Sequence, residues 1–178
     1  MDSNNLPDSL KKIIVSEEEI RGIISRIAQE ITQDYSGKNL LICGILRGCF
    51  IFMADLVRHL ELDVEISFIK ASSYGSGKEP GELKIVEFET LDKYKDYYII
   101  IVDDILDTGN TFYYLEQELK SKGFAGVDFC VFLDKPERRQ LPVSAKYTGK
   151  RIGNEFVVGY GLDFNEKYRN LPFVAAVE

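Results

Sequence analysis

The chain is short of the residues that mark several function classes. It has one histidine, His59, in 178 residues, so a two-histidine metal site is excluded and a histidine-based triad could use only that residue. Its three cysteines, Cys43, Cys49 and Cys130, are odd in number, lie in apolar stretches and are not spaced for zinc. They read as buried free thiols of a reducing compartment rather than a disulfide framework. No run approaches the roughly 20 uninterrupted apolar residues that span a bilayer. The polar stretch Met1 to Leu10 has no signal-peptide core, so the expectation is a soluble, cytoplasmic protein without a membrane partner. Positive charge is in deficit: Lys plus Arg number 22 against 29 Asp plus Glu, a formal net charge of −7. Nucleic-acid binding calls for a basic face, so none is expected. A cation-dependent site built from carboxylates stays open.

What is present suffices for one globular domain over 1–178. With 45% hydrophobic residues, a chain of this length buries roughly 70% of its unfolded surface. Residues 1–15 read as a loose lead-in. Ser16 and Glu19 form a capping box ahead of Ile20, Ile23, Ile24, Ile27 and Ile31, which share one helical face. Gly37 ends that helix. Leu40 to Leu46 reads as a strand buried on both faces, and Phe50 to Leu60 as a helix presenting Phe50, Ile51, Ala54 and Val57. Leu62, Val64, Ile66 and Phe68 alternate with polar residues as a half-buried strand does. Residues 72–83 are a glycine-rich loop, followed by a probable strand from Leu83 to Phe88. Tyr97 to Val102 is the clearest buried strand. A helix from Thr111 to about Lys122, capped by Gly123, leads to another buried strand, Val127 to Leu133. Phe156 to Tyr160 is a short strand before a polar, aromatic tail. Buried strands alternating with helices predict an α/β fold with a mainly parallel central sheet flanked by helices. Ligands of such sheets bind beyond the carboxyl ends of the strands. That directs attention to Leu46-Arg47-Gly48, Asp103 to Thr111, and Asp134-Lys135.

The segment Val102 to Thr111 carries the most chemistry. Asp103 and Asp104 end a buried strand, Asp107 follows, and Thr108-Gly109-Asn110-Thr111 opens a helix. A helix start preceded by small residues offers several N–H groups to one point, which suits a phosphate monoester. The carboxylates would repel that phosphate. They suit sugar hydroxyls, or Mg²⁺ held through them. The plainer reading, a solvated strand end with an N-cap, accounts poorly for three acids and a phosphate turn within nine residues. A response-regulator receiver is the rival functional reading. It expects its acid pair near the chain start and its phosphoacceptor on a separate strand, and neither holds here.

VDDILDTGNT resembles the phosphoribosyl-pyrophosphate signature of the type I phosphoribosyltransferases. Four further segments resemble the hypoxanthine-guanine phosphoribosyltransferases and occur in that family's order over about residues 38–175. They are Leu46-Arg47-Gly48, Ser72 to Gly75, Leu133 to Pro136, and Phe156 to Phe164 with Tyr168-Arg169. The resemblance implies the type I phosphoribosyltransferase fold. Its core is expected at about 38–150, and a small hood from terminal segments, about 1–37 and 151–178. It implies Mg²⁺-dependent transfer of a 5-phosphoribosyl group from its 1-pyrophosphate to N9 of hypoxanthine or guanine in purine salvage. It also implies a homodimer or homotetramer.

The resemblance implies roles residue by residue. Thr108, Gly109, Asn110 and Thr111 cradle the 5-phosphate. Asp103 and Asp104 engage the ribose hydroxyls directly or through the metal, and Asp163 is a further metal position. Asp107 is the general base near purine N7. With only His59 elsewhere, a carboxylate base is what the chain can offer. A structural Asp107 that caps the turn remains the alternative. Lys135 donates to the purine's exocyclic oxygen and so selects 6-oxopurines over adenine. Phe156 stacks on the base and Val157 presents backbone groups to its edge, while Val158 is core. Arg169 binds pyrophosphate, and Leu46-Arg47-Gly48 forms the pyrophosphate loop, with a cis peptide in the family pattern. Ser73 and Tyr74 belong to a lid over 72–83 that excludes water from the reacting centre. Two alternatives stay open: a xanthine-preferring enzyme, and a non-catalytic nucleotide-sensing regulator of the same fold.

Overall fold

The computed structural model describes residues 10–73, 83–85, 91–124 and 126–177; of Ala71 to Ser73, Leu83 to Ile85 and Asp92 only the backbone is described. Among the described residues, nine strands and three α-helices run in the order β1 (Leu10–Val15), α1 (Glu17–Tyr35), β2 (Leu40–Leu46), α2 (Phe50–His59), β3 (Val64–Ser73), β4 (Leu83–Ile85), β5 (Tyr98–Leu106), α3 (Asn110–Ser121), β6 (Gly126–Asp134), β7 (Tyr147–Arg151), β8 (Val157–Val158) and β9 (Val174–Val177). The main sheet has the order β4-β3-β2-β5-β6-β7. Its five longer strands are parallel, and β4 adds an antiparallel edge. The terminal segments make a second, antiparallel sheet of order β1-β9-β8.

The expected α/β architecture with its terminal hood is the observed one, and its physical basis is burial on both faces of the sheet. Along β5, Ile100 and Val102 pack with α1 and α2, while Ile99 and Ile101 pack with α3. A strand covered on both sides has no polar face, hence its continuous apolar run. The capping box of α1 is complete: Glu19 N donates to Ser16 Oγ at 3.2 Å and Ser16 N to Glu19 Oε2 at 2.8 Å. Ile20, Ile24, Ile27 and Ile31 are buried as the spacing predicts. All three cysteines are buried free thiols, and burial pushes Cys43 up to about 12.

Several local expectations are corrected. Residues 10–15 are not a loose lead-in but β1, which pairs Leu10 with Val177 and Val15 with Val174. Two register shifts disturb its alternation, so the period-2 signal is missing from the sequence. In α2 the buried side chains are Phe52, Met53 and Leu56, whereas Phe50 is 44% exposed. The stripe facing the sheet is turned from the predicted one. On β3, Ile66 and Phe68 face outward, at 48% and 40% exposure, so its apolar face is not the half-buried one. β5 continues to Leu106, four residues past the expected end, because β6 keeps pairing with it to Leu106↔Asp134. β8 is only Val157–Val158. β7 and β9 were not expected, being a polar edge strand and a four-residue one. Leu83 to Ile85 forms part of the strand expected at 83–88, and residues 86–88 lie outside the described ones.

Candidate functional site

β2 stops pairing with β5 at Gly44↔Val102, while β6 goes on. Past Val102 the strand therefore carries its next residues out along one remaining neighbour. Asp103 and Asp104 sit there, inside β5 rather than beyond it. The loop Leu46-Arg47-Gly48 turns over them. A Cβ on Gly48 would overlap the Asp104 carboxylate, and one on Gly161 would overlap the Gly48 carbonyl. Strand end, β2 loop and tail thus meet at one crowded point that only glycine fits. The Leu46-Arg47 peptide is cis, as the resemblance implies.

Asp104 N donates to Asp103 Oδ1 at 3.0 Å. Burial holds both carboxyls above the usual carboxylate range; the negative charge of Asp104 pushes Asp103 further, while the positive charge of Arg169 pulls Asp104 partly back. Two enclosed acids side by side favour a ligand that brings positive charge or hydroxyl donors. Their hard oxygens suit Mg²⁺. Asp163 is not gathered with them: among the described residues no three His, Cys, Asp or Glu side chains form one metal cluster. Instead Asp163 Oδ1 pairs with Arg169 Nη2 at 2.7 Å and its Oδ2 accepts from Glu166 N at 2.9 Å.

After Leu106 the chain makes the expected turn. Gly109 takes a left-handed conformation, φ +90°, as N-cap of α3, and has no side chain to cap the helix. Thr108 Oγ1 accepts from Asn110 N, the first amide of α3, at 3.5 Å, a long contact that leaves this amide open to a stronger acceptor. A cavity of about 80 Å³ opens here, lined by Asp103, Asp107, Thr108, Gly109, Asn110 and Thr111 among others. Its backbone donors and small volume match a phosphate group. Asp107 lies at the rim. Its Oδ1 is buried without a hydrogen-bond partner, although Arg138 Nε approaches to 2.7 Å in an ion pair. Arg138 was not predicted. Its place beside Pro136 gave no signal, because the pairing depends on how a short 3₁₀ helix, Pro136–Arg138, folds back onto the turn.

Lys135 follows β6, next to this turn. Its N donates to Leu106 O at 2.9 Å. The side chain is buried, 4% exposed for the residue, and Nζ donates to Glu155 O at 2.8 Å. Burial lowers its pKa, while Asp107 and Glu155 oppose that shift. A buried ammonium with one acceptor keeps two donors for a ligand.

On the tail, Phe156 is 55% exposed and meets Phe164 edge-on at 5.7 Å between ring centres. Such an open ring can take a flat partner. Val157 is buried in the core, as is Val158. Phe156 O accepts from Val177 N at 2.9 Å. By strand alternation the peptide groups of Val157 then face away from β9. Arg169 donates from Nη1 to Gly161 O at 2.8 Å. Glu166 joins the two arginines of this side: its Oε1 lies 3.0 Å from Arg47 Nη2 and its Oε2 3.3 Å from Arg169 Nη2. Ser73 belongs to β3 and pairs with Leu83. Tyr74 and most of the expected lid, 74–82, lie outside the described residues. A larger cavity, about 440 Å³, lies between α1, α2 and the tail near Tyr160 and holds none of the expected site residues.

Comparisons with known proteins agree with this geometry. Residues 12–165 match the model of the phosphoribosyl transferase domain. The chain is 44% identical over 176 residues to the hypoxanthine-guanine phosphoribosyltransferase of Lactococcus lactis subsp. lactis (strain IL1403), covering 98% of this chain and 94% of that protein. A crystal structure of a hypoxanthine phosphoribosyltransferase from Staphylococcus aureus aligns with a TM-score of 0.89 at 38% identity, over 96% of this chain and 93% of that one. One of a hypoxanthine-guanine phosphoribosyltransferase from Bacillus anthracis aligns with a TM-score of 0.86 at 39% identity, over 95% and 99%.

Proposed function

The chain belongs to the hypoxanthine-guanine phosphoribosyltransferases, type I phosphoribosyltransferases of purine salvage, and from that we propose how its own residues divide the work. The enzyme transfers the 5-phosphoribosyl group from 5-phosphoribosyl 1-pyrophosphate to a 6-oxopurine. The amides and hydroxyls of Thr108 to Thr111 take the 5-phosphate. Asp103 and Asp104 face the ribose and would hold Mg²⁺ there, with Asp163 as a separate metal position toward the pyrophosphate; a bound ion would supply positive charge to offset that of the leaving group. As pyrophosphate departs, positive charge builds on the ribose, and the acid pair stabilises it. Asp107 accepts the purine proton. Lys135 donates to the exocyclic oxygen at position 6, an acceptor in hypoxanthine and guanine where adenine presents a donor. Phe156 stacks on the base, the outward peptide groups of Val157 meet its edge, and Arg47 and Arg169 receive pyrophosphate. Leu46 and Gly48 shape that loop, and Ser73 and Tyr74 close over it.

The observation that carries this reading is one junction. The acid pair, the phosphate turn and the buried Lys135 occupy the adjoining ends of β5 and β6, tied by the bond from Lys135 N to Leu106 O. A spectrophotometric assay with 5-phosphoribosyl 1-pyrophosphate, Mg²⁺ and each of hypoxanthine, guanine, xanthine and adenine tests it. IMP and GMP are the expected products. Turnover with none of the four overturns the reading, and a clear preference for xanthine moves the specificity. The family and the charge of −7 both speak against a nucleic-acid-binding regulator.

The same reading extends to assembly. Phe50 on α2 and Ile66 and Phe68 on β3, the strand next to β2, are exposed large apolar side chains. Such a patch supports a homodimer or homotetramer, which sedimentation of the wild type and of a Phe68→Glu, Ile66→Glu variant distinguishes from a monomer. Three buried thiols suit a reducing, cytoplasmic setting.

A further inference from the structure

We propose that Arg139 is a positioning residue that sets the phosphate turn by pulling its carbonyls to the far side. The proposal rests on the reading of Thr108 to Thr111 as the 5-phosphate cradle. Arg139 follows the short helix after Lys135, and its side chain is 16% exposed. Nη2 donates to Asp134 Oδ1, at the end of β6, and Nη1 donates to the carbonyl of Asp107. Asp134 is itself buried, so the guanidinium is a neutralised, two-ended brace rather than a free cation.

The neighbouring bonds run the same way. Leu106 O accepts from Lys135 N at 2.9 Å, and Thr108 O accepts from Gln140 N at 2.9 Å and from Leu141 N at 3.4 Å. Three successive carbonyls, of residues 106, 107 and 108, are therefore held by the segment 135–141. Arg139 supplies the only side chain among these holds.

A trans peptide is planar, and its C=O and N–H point in opposite directions. Fixing the carbonyl of Asp107 fixes the N–H of Thr108, and fixing that of Thr108 fixes the N–H of Gly109. Donors so aimed in advance need no reorganisation when a phosphate arrives. The fit is close: a Cβ on Gly109 would stand 3.0 Å from Arg139 Cδ. The stem of Arg139 thus packs under the turn while its head holds the carbonyl. Because the same guanidinium grips Asp134, one residue before Lys135, the brace also sets the spacing between the phosphate end and the purine end.

Arg139→Lys separates this role from general support. Lysine keeps the charge beside Asp134, but its single ammonium has no planar fork to span both acceptors. Steady-state kinetics of the full chain, with Mg²⁺, is the measurement. The expected result is an increase of about tenfold in KM for 5-phosphoribosyl 1-pyrophosphate, the size of one lost charge-assisted hydrogen bond. In the reverse direction KM for IMP, which carries the same 5-phosphate, should rise in parallel. KM for pyrophosphate and kcat should hold within about twofold. Unchanged constants, or equal losses in all of them, overturn the proposal. Should Arg139→Lys fail to fold, the pair Arg139→Gln with Asp134→Asn removes both buried charges together, and the same split in KM is read. A wild type that does not use the pyrophosphate substrate at all brings down the functional reading itself. An active wild type with no such split brings down only the role of Arg139.

Discussion

The two sides of the site hold charge by different means. At the ends of β5 and β6 the groups are set in main chain. The turn has its carbonyls bonded from behind, and Lys135 is 4% exposed. On the tail side two of the ionic side chains are open: Arg47 is 68% and Glu166 59% exposed at the side chain, and they pair with each other, while Glu166 also reaches the more enclosed Arg169. The tail backbone also carries Tyr160, Asn165, Glu166 and Tyr168 at positive φ, none of them glycine. Such residues cost about 1–3 kcal/mol each and persist where surrounding contacts impose them. One side is formed before substrate binds. The other is a set of ion pairs, Arg47–Glu166–Arg169–Asp163, that an entering anion would have to rearrange. In the proposed division of work, the part where bonds break is the buried one, and the part that releases pyrophosphate is the open one.

Substitutions on the buried side should cost most. Asp107→Asn keeps the size of the side chain but removes its basicity. If Asp107 is the base, kcat should fall by about 10²–10⁴-fold while KM for 5-phosphoribosyl 1-pyrophosphate changes little. Near wild-type turnover at saturating substrate would assign Asp107 to structure, through its pairing with Arg138. Lys135→Met tests the purine end. Loss of a buried charged donor should lower kcat/KM for hypoxanthine and guanine by about 10–100-fold. The variant should lose its discrimination against adenine, which the wild type is expected to use poorly. Efficient adenine turnover by the wild type would remove Lys135 from the specificity role.

Asp103 gives the buried side a stability signature with a definite sign. Burial and the neighbouring charge of Asp104 hold its folded pKa above that of an ordinary carboxylate. Between those two values the folded chain holds a proton that the unfolded chain has released. The stability this contributes is full below the unfolded pKa and is lost as pH rises through the folded one. Asp103→Asn stays neutral throughout. It should therefore raise Tm at neutral pH, by about 2–6 °C for a chain of this size, while turnover collapses. The gain should shrink toward pH 4. A variant less stable than wild type at neutral pH would mean that the ionised pair is compensated in the fold.

The buried side was also the more legible in sequence. The continuous apolar runs of β2, β5 and β6 announced strands covered on both faces, and the turn Thr108 to Thr111 stood out by composition. What escaped notice depended on pairing partners. β5 continues to Leu106 only because β6 runs alongside it, and β1 is a strand only because Val174 to Val177 comes back to meet it. Arg138 and Arg139 carry no mark of their place, since nothing in the residues themselves says that the short helix after Pro136 folds them against the turn. The exposed face of β3 ran against its alternation. An apolar pattern reports which side chains avoid water, not whether this chain or a second copy covers them.

The smallest effect belongs to the open side, at Glu166. Its two carboxylate oxygens lie by Arg47 and Arg169, the residues assigned to pyrophosphate, so an anion that enters has to displace it. Exposed ion pairs of this kind are worth about 0–1 kcal/mol, so the competition is weak. Glu166→Gln keeps the shape and removes the charge. It should leave Tm within about 1 °C and kcat within about twofold, and lower KM for pyrophosphate in the reverse reaction by about two- to threefold, as expected for a fraction of a kcal/mol. Raising the salt concentration should erase the difference, because screening weakens the intramolecular competitor in the wild type as well. A higher KM for pyrophosphate in the variant would reverse the picture. Glu166 would then be aligning the two arginines for the ligand, and the open side would be as preset as the buried one.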